Sequence, residues 1–213
     1  MLLGAAAMLL FPLVGVFAPS STMEWDSLAY HLAVPKLWWT EGRVGFVPGM
    51  HQSNFPFGVE VLTMLVPPAS MEVAAKSVSW IYTFFGACAL YGIAQRWYGK
   101  GAEWAPVAFL AAPVVLWESG TAYIDVAHGL FAGMALLYAS EWKGKGWGQT
   151  VLVGALLGFA AGTKYTGLQT VGLVGLGLLV VALGTERKRL PQVFACGALA
   201  LAMCGGWYLK TAQ

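Results

Sequence analysis

Long apolar runs separated by short polar segments dominate the chain. A helix needs about 20 apolar residues to cross the hydrocarbon core of a bilayer. Runs near this length recur along the sequence, although several are shorter, so their boundaries are approximate. The pattern predicts an all-α protein, a polytopic transmembrane helix bundle of about seven spans. The predicted spans are residues 2–18, 73–95, 102–118, 122–140, 148–163, 166–184 and 191–209.

The composition is typical of a protein embedded in a membrane. Hydrophobic residues make up 58% of the chain and charged residues 10%, whereas roughly a quarter of a soluble domain is charged. The first apolar run lacks a basic segment before it and a cleavage site after it, so it is interpreted as a retained span rather than a secretory signal. The net charge of +2 gives no indication of a nucleic-acid partner.

The basic residues predict an orientation in the membrane. Lys and Arg accumulate in short cytoplasmic loops, and here they follow the even-numbered spans. Residues 20–72, the turn Glu118–Asp125 and the turn at Lys164 are therefore expected on the outer side. In a bacterium this is the inner (plasma) membrane, with these segments facing the periplasm or the exterior. The basic residues that follow the even-numbered spans are Arg96, Lys100, Lys143, Lys145, Arg187, Lys188 and Arg189.

The first outer loop, residues 20–72, holds most of the polar side chains of the chain. Ser21 and Glu24 have capping-box spacing, which predicts a helix that carries Asp26 and Tyr30 on one face until Pro35 disturbs it. The segment KLWWTEGR then has the composition of an interfacial helix, with Gly42 as its end. The polar residues of the loop are Glu24, Asp26, Tyr30, His31, Lys36, Arg43, His51, Asn54 and Glu60, and Trp38 and Trp39 are predicted to anchor it at the membrane interface.

Two further charged residues are predicted at the outer ends of spans. Asp125 begins the fourth span, and Lys164 separates the fifth span from the sixth. These two residues and Asp26 each have a purely structural explanation: Asp26 favours a helix dipole, Asp125 is a solvated helix end, and Lys164 is a snorkelling lysine. The alternative is that these residues converge on a site that handles a phosphate at the membrane surface.

Small residues within the spans are predicted to be structural. Gly154, Gly158 and Gly162 recur every four residues, which places them on one helix face where another backbone can approach closely. The cysteines, Cys88, Cys196 and Cys204, lie in apolar spans without a CxxC pair, so they indicate packing rather than metal binding or redox chemistry.

Four segments together carry a resemblance to a known family. WDSLAYHLAVPKLW, SNFPFGVEVLTML, AYIDVAHGLF and GTKYTGL, in this order and at these separations, resemble the amino-terminal half of membrane-embedded glycosyltransferases of the GT-C fold. Within that fold the chain is most similar to bacterial dolichyl-phosphate-mannose protein mannosyltransferase-like and lipopolysaccharide-core sugar transferase-like proteins. The resemblance covers nearly the whole chain.

The resemblance implies an enzyme of the cell envelope. Its members transfer a sugar, with inversion, from a polyprenyl-phosphate donor on the outer leaflet to a lipid, glycan or protein acceptor. An essential aspartate in the first outer loop matches Asp26, and a second acid about a hundred positions later matches Asp125. Lys164 is by the same resemblance a candidate for the donor phosphate.

The chain departs from the family in two respects. Protein mannosyltransferases have an Asp-Glu pair in the first loop, whereas Asp26 is followed here by Ser27, which argues against protein O-mannosylation. Relatives also continue through more spans and usually a soluble outer domain, so residues 1–213 are expected to be a single domain truncated at its carboxyl end.

The resulting hypothesis assigns roles to individual residues. Asp26 is the expected general base, Asp125 is the second catalytic acid, and Lys164 is the electrostatic partner of the leaving phosphate. No close His/Glu spacing predicts a metal ligand set, so no metal is assigned, and a divalent cation stays open. The predicted substrate-binding residues are Tyr30, His31, Lys36, Arg43, His51, Asn54, Glu60, Lys164 and Tyr165.

The alternative function is a multi-spanning membrane transporter that uses Asp125 and Lys164 as a relay. Transporters place such residues near the bilayer midplane on broken helices, often in repeated halves. Here both residues lie at predicted outer ends of spans and no internal repeat is evident, which favours the enzyme.

Overall fold

The protein is predominantly helical. The computed structural model describes residues 1–142 and 146–211. Lys143 and Lys145, two of the basic residues that predict the orientation, lie outside the described residues. In the described part the extended pairing is an isolated bridge between Val47 and Met50, so the all-α prediction is confirmed there. The α-helices are α1 (Leu2–Leu10), α2 (Leu13–Phe17), α3 (Ala33–Glu41), α4 (Met71–Tyr98), α5 (Trp104–Leu110), α6 (Pro113–Glu118), α7 (Asp125–Ser140), α8 (Trp147–Thr163), α9 (Thr166–Thr185) and α10 (Leu190–Thr211).

Three helical segments in the described chain are long and apolar enough to cross a membrane. They are Pro68–Tyr98, Thr166–Thr185 and Arg187–Lys210, with mean hydropathies of 1.3, 2.0 and 1.4. Leu2–Phe17 and Trp147–Thr163 are apolar but shorter. The helices therefore support a membrane protein, while seven crossings remain a prediction.

Prolines divide two of the predicted spans. The first span becomes α1 and α2 on either side of Phe11 and Pro12, and the third becomes α5 and α6. A proline lacks the amide hydrogen that a helix interior needs, and it disfavours the helical region for the residue before it. Ala112, directly before Pro113, accordingly has an extended backbone with ψ of 117°. Phe11, before Pro12, keeps helical angles of φ −58° and ψ −47°, so the missing amide hydrogen of Pro12 accounts for the first break.

The first outer loop folds differently from the predicted pair of regular helices. It begins with a π-turn (Ser27–His31), and α3 begins after the single residue Leu32, with Pro35 tolerated in the first turn of α3. The Ser21 amide donates to Glu24 Oε1 at 2.9 Å, which is one half of the predicted capping box. Gly42 ends α3 in the left-handed conformation at φ 67°, as predicted.

The prediction that Trp38 is an interfacial anchor is wrong. Trp38 is completely buried, and its indole Nε1 donates to the carbonyl of Gly45 at 2.7 Å. Its neighbour Trp39 is 44% exposed. Aromatic composition gave both residues the same prediction, whereas the loop folds back over only one of them.

The chain contains two compact units, with a boundary inside α7. Unit 1 comprises Met1–Ser53 and Val59–Ala127, and unit 2 comprises Asn54–Gly58 and His128–Gln213. In unit 1, α5 packs against α1 and α4, and Ala5, Ala87 and Leu110 form a small core. Asp26, Tyr30, His31, Glu60 and Asp125 all belong to this unit.

Unit 2 is built from the close packing of α8 against α9 and α10. The predicted glycine face is observed: a Cβ on Gly154 would meet the Cys196 carbonyl oxygen at 2.9 Å, and one on Gly158 would meet Met203 Cβ at 2.8 Å. The absence of side chains therefore lets α10 approach α8, as the spacing of these glycines predicts.

Candidate functional site

The π-turn places the polar residues of the first loop. Asp26 stands immediately before it, and Tyr30 and His31 are its last two residues. A π-turn holds an extra residue per turn, and such turns are frequent at functional sites. The Ala122 amide donates to Ser27 Oγ at 3.2 Å, which ties the π-turn to the segment that leads into Asp125.

Tyr30 lies among three carboxylates. Its hydroxyl donates a hydrogen bond to the side chain of Asp26, four residues earlier, which confirms the prediction that they share a face. Burial raises the pKa of the Tyr30 phenol, and the negative charges of Asp26, Glu60 and Asp125 raise it further. The phenol is therefore a protonated donor at neutral pH, and both predicted catalytic acids lie within its electrostatic reach.

His31 and Glu60 form a buried pair behind Tyr30. The His31 Nδ1 and Glu60 Oε1 atoms are 2.7 Å apart, and the two residues are 2% and 4% exposed. Both were predicted to bind substrate. Their burial keeps them from a surface ligand in this structure, so any effect on chemistry passes through their neighbours.

The other candidates of the first loop in unit 1 lie at its surface. Lys36 is half-buried on α3, and His51 is exposed in a short 3₁₀ turn. Arg43 is exposed just beyond α3, where its guanidinium pairs with Glu41 at 3.3 Å. Participation of these three residues in substrate binding stays a prediction.

In unit 2 the turn between α8 and α9 carries Lys164 and Tyr165. Lys164 is half-buried with an extended backbone, which interrupts the two helices. The Tyr165 hydroxyl donates to the Asn54 carbonyl at 3.1 Å, so these two predicted binding residues are neighbours. The Gly58 amide donates to the Gly162 carbonyl at 2.8 Å and fixes the other end of the segment Asn54–Gly58.

The sequence reasoning missed a histidine and a lysine beside this turn. His128 bridges two helices, with Nδ1 3.2 Å from the Ala160 carbonyl and Nε2 3.0 Å from Thr166 Oγ1. The Lys210 ammonium donates to the Phe55 carbonyl at 3.0 Å and lies 5.1 Å from the Trp207 ring centroid. His128 was visible in the motif AYIDVAHGLF, three residues after Asp125.

Lys76 was also missed, although a lysine within a predicted span is itself a signal of a structured polar site. It is 1% exposed on α4, and its ammonium donates to the Ala18 carbonyl at 2.7 Å, beyond the end of α2. It also pairs with Glu72 at 3.3 Å and lies 3.9 Å from Glu24. This network fixes the start of the first loop, where Glu24 lies two residues before Asp26.

The described residues contain no group of three or more His, Cys, Asp or Glu side chains arranged to hold a metal ion. Asp26, Glu60 and Asp125 are related instead through Tyr30, whose hydroxyl fills a position beside Asp26.

Comparison of the chain with protein-family models, with curated proteins and with solved structures finds no match.

Titration of Tyr30 tests the arrangement without assuming a function. We expect Asp26→Asn to lower the pKa of the Tyr30 phenol while leaving it above the ordinary value of roughly 10, because the charge is lost and the burial remains. ¹³C-tyrosine NMR, assigned with Tyr30→Phe, measures the change. An unaltered Tyr30 titration would contradict the contact with Asp26.

The same shift predicts a loss of stability in alkali. The pKa of Tyr30 is raised in the folded state. The contribution of its neutral phenol to the free energy of unfolding is therefore complete below roughly pH 10, and it is lost as the pH rises through the folded-state pKa. The free energy of unfolding should therefore fall less steeply above roughly pH 10 in Tyr30→Phe than in the unaltered protein. Equal slopes in the two proteins would contradict this assignment.

Proposed function

We propose that the protein is an integral-membrane glycosyltransferase. It transfers a sugar from a polyprenyl-phosphate donor to a lipid, glycan or protein acceptor, with inversion at the anomeric carbon. The observation that carries the proposal is the grouping of Asp26 and Asp125 around Tyr30, because these acids come from segments about a hundred positions apart. The motif resemblance and the membrane-length helices support the same function.

Asp26 is the general base of the proposed reaction. A hydroxyl acceptor is a weak nucleophile near neutral pH, so a carboxylate that takes its proton during attack accelerates the transfer. The acceptor oxygen forms a bond to the anomeric carbon, the carbon–oxygen bond to phosphate breaks, and polyprenyl phosphate leaves with the bonding electrons. The Tyr30 hydroxyl occupies one acceptor position of Asp26 and thereby orients the carboxylate. Attack opposite the leaving phosphate produces inversion.

The remaining roles are electrostatic. Asp125, the first residue of α7, orients the acceptor or Asp26. Lys164 stabilises the negative charge that develops on the leaving phosphate, and Tyr165 contributes a hydroxyl beside it. Lys36 and Arg43 are the supporting cations of the first loop, and His51 and Asn54 contact the donor or acceptor.

Transfer and transport are distinguished by following a labelled donor. Proteoliposomes containing the protein are incubated with polyprenyl-phosphate sugars that carry radiolabel in the sugar, and with extracts of envelope lipids and glycans as acceptors. The proposal predicts labelled acceptor together with free polyprenyl phosphate. Movement of an intact labelled compound across the bilayer, without cleavage, would favour the transporter that uses Asp125 and Lys164.

The proposal places the site on the periplasmic or exterior side of a bacterial inner membrane. In a variant lacking Cys88, Cys196 and Cys204, we expect Met23→Cys to react with an impermeant thiol reagent in intact cells. We expect Lys188→Cys to react only after lysis. Both positions are exposed, Met23 at 79% and the Lys188 side chain at 81%, so access rather than burial decides the result. The opposite labelling pattern would invert the orientation.

A further inference from the structure

We infer that the buried His31–Glu60 pair is a positioning device for Asp26. The pair acts through two tyrosines and touches no substrate. Its expected effect on transfer rests on the proposed function, whereas its effect on the geometry of Asp26 does not.

The first step is the orientation of the His31 ring. Glu60 Oε1 lies 2.7 Å from His31 Nδ1, and a carboxylate there accepts a hydrogen bond from an Nδ1–H group. This contact selects one tautomer and one ring orientation. Since both residues are at least 96% buried, solvent offers neither of them an alternative partner.

The second step is contact between the His31 ring and two tyrosine rings. The ring centroid of His31 lies 4.2 Å from that of Tyr30 and 5.9 Å from that of Tyr123, with interplanar angles of 44° and 49°. A fixed imidazole therefore fixes the planes of both phenols, because closely packed rings cannot rotate independently.

The third step is that both phenols reach Asp26. The Tyr30 hydroxyl donates to the Asp26 carboxylate, and the Asp26 backbone amide donates to the Tyr123 hydroxyl oxygen. Asp26 is thus held at its side chain and at its main chain by the two tyrosines whose rings contact His31. The chain of contacts runs from Glu60 through His31 to the tyrosines and ends at the proposed base.

The pair is poorly built for stability alone. Glu60 Oε2 is buried without a protein hydrogen-bond partner in the described chain, and such an atom loses its hydration without compensation. A buried ion pair often contributes no more stability than apolar residues of the same volume. The arrangement of Glu60 is better explained by the orientation that it gives to His31.

The small number of aspartates and histidines simplifies the assignment of NMR signals. The chain has two aspartates, Asp26 and Asp125, and three histidines, His31, His51 and His128. Protein labelled with ¹³Cγ-aspartate therefore gives two carboxyl signals, assigned with Asp125→Asn. Protein labelled with ¹⁵N-histidine gives three rings, of which His31→Gln removes one.

In the unaltered protein we expect His31 to show a single Nδ1–H tautomer. Glu60→Gln keeps an acceptor oxygen but loses the negative charge that favours the Nδ1–H form, so we expect a mixture of His31 tautomers and a shifted or broadened Asp26 carboxyl signal, with the Asp125 signal in place. Tyr123→Phe keeps its ring but loses its hydroxyl, so it should move the Asp26 signal and leave His31 unchanged. The matched control Glu186→Gln alters a half-buried glutamate in the loop before α10 and should change neither signal.

Transfer kinetics provide the second measurement. Misplacement of a catalytic group by about 1 Å can cost on the order of a hundredfold in rate, so Glu60→Gln should lower kcat by roughly tenfold or more with little change in KM. If Asp26 shifts but the unaltered protein transfers no sugar, the positioning inference stands and the proposed function fails.

Two results overturn the inference. One is an Nε2–H tautomer of His31 in the unaltered protein, a measurement that needs no folded variant. The other is an Asp26 signal that stays in place in Tyr123→Phe or in folded Glu60→Gln.

Discussion

Asp26→Asn is expected to reduce sugar transfer by roughly a hundredfold or more in protein that still inserts and still binds the polyprenyl-phosphate donor. The substitution keeps the size of the side chain and one hydrogen-bonding oxygen, but it removes the carboxylate that takes the acceptor proton. The Tyr30 hydroxyl can still donate to the asparagine oxygen, so the local fold should persist. Initial rates with saturating donor, alongside donor-binding measurements, provide the comparison.

The structural explanation of Asp26 predicts a different outcome. If the residue only favours the positive end of a helical turn, its replacement costs about 1 kcal/mol of stability and leaves turnover nearly normal. Asp125→Asn is measured beside it, because an acid that only orients other groups should show the smaller rate loss. A mutant at Asp26 that retains most of the transfer rate, with its stability lowered, would exclude the general-base assignment.

Gly167→Ala is expected to be the most destabilising of the single methyl additions to α9. Gly167 is the second residue of the helix, and a Cβ there would overlap the Ala160 carbonyl and the Ala161 amide of α8. The overlap is with backbone, so the turn that carries Lys164 must open. Overpacking costs typically 1–3 kcal/mol, and we expect about 3 kcal/mol or more here. Reversible unfolding in mixed micelles measures the loss.

Gly175→Ala is the matched control for this prediction. Gly175 lies in the interior of the same helix, and a Cβ there would meet nothing within 4 Å. Alanine has a higher helix propensity than glycine by about 1 kcal/mol in water, so this variant should be as stable as the unaltered protein or more so. Equal stabilities of the two variants would show that α8 and α9 are not packed as closely as described.

The apolar pattern predicted where most helices lie, because a long helix that is buried in lipid or protein needs apolar residues on every turn. The predicted span 166–184 corresponds to α9, Thr166–Thr185, with almost the same ends. Pro12 and Pro113 were visible in the sequence, but the mean hydropathy of a span of about 20 residues changes little when one of them is a proline. Their local geometry divides the first and third predicted spans.

The candidate site was predictable where it depends on short-range spacing. The four-residue interval between Asp26 and Tyr30 predicted a shared face, and the observed hydrogen bond agrees. The pairing of His31 with Glu60, 29 residues later, depends on how the loop folds back, which no local pattern encodes. The same tertiary folding buries Trp38 and makes its aromatic character a poor guide to the membrane interface.

The stereochemistry of a single turnover tests the proposed function most directly. The protein in excess is mixed with a polyprenyl-phosphate sugar of one defined anomeric configuration and with an acceptor fraction, and the product linkage and released lipid are measured together. The proposal predicts one equivalent of polyprenyl phosphate per sugar transferred, a product linkage of the opposite anomeric configuration, and loss of both in Asp26→Asn. Retained configuration, or an intact donor after prolonged incubation with every acceptor fraction, would contradict it.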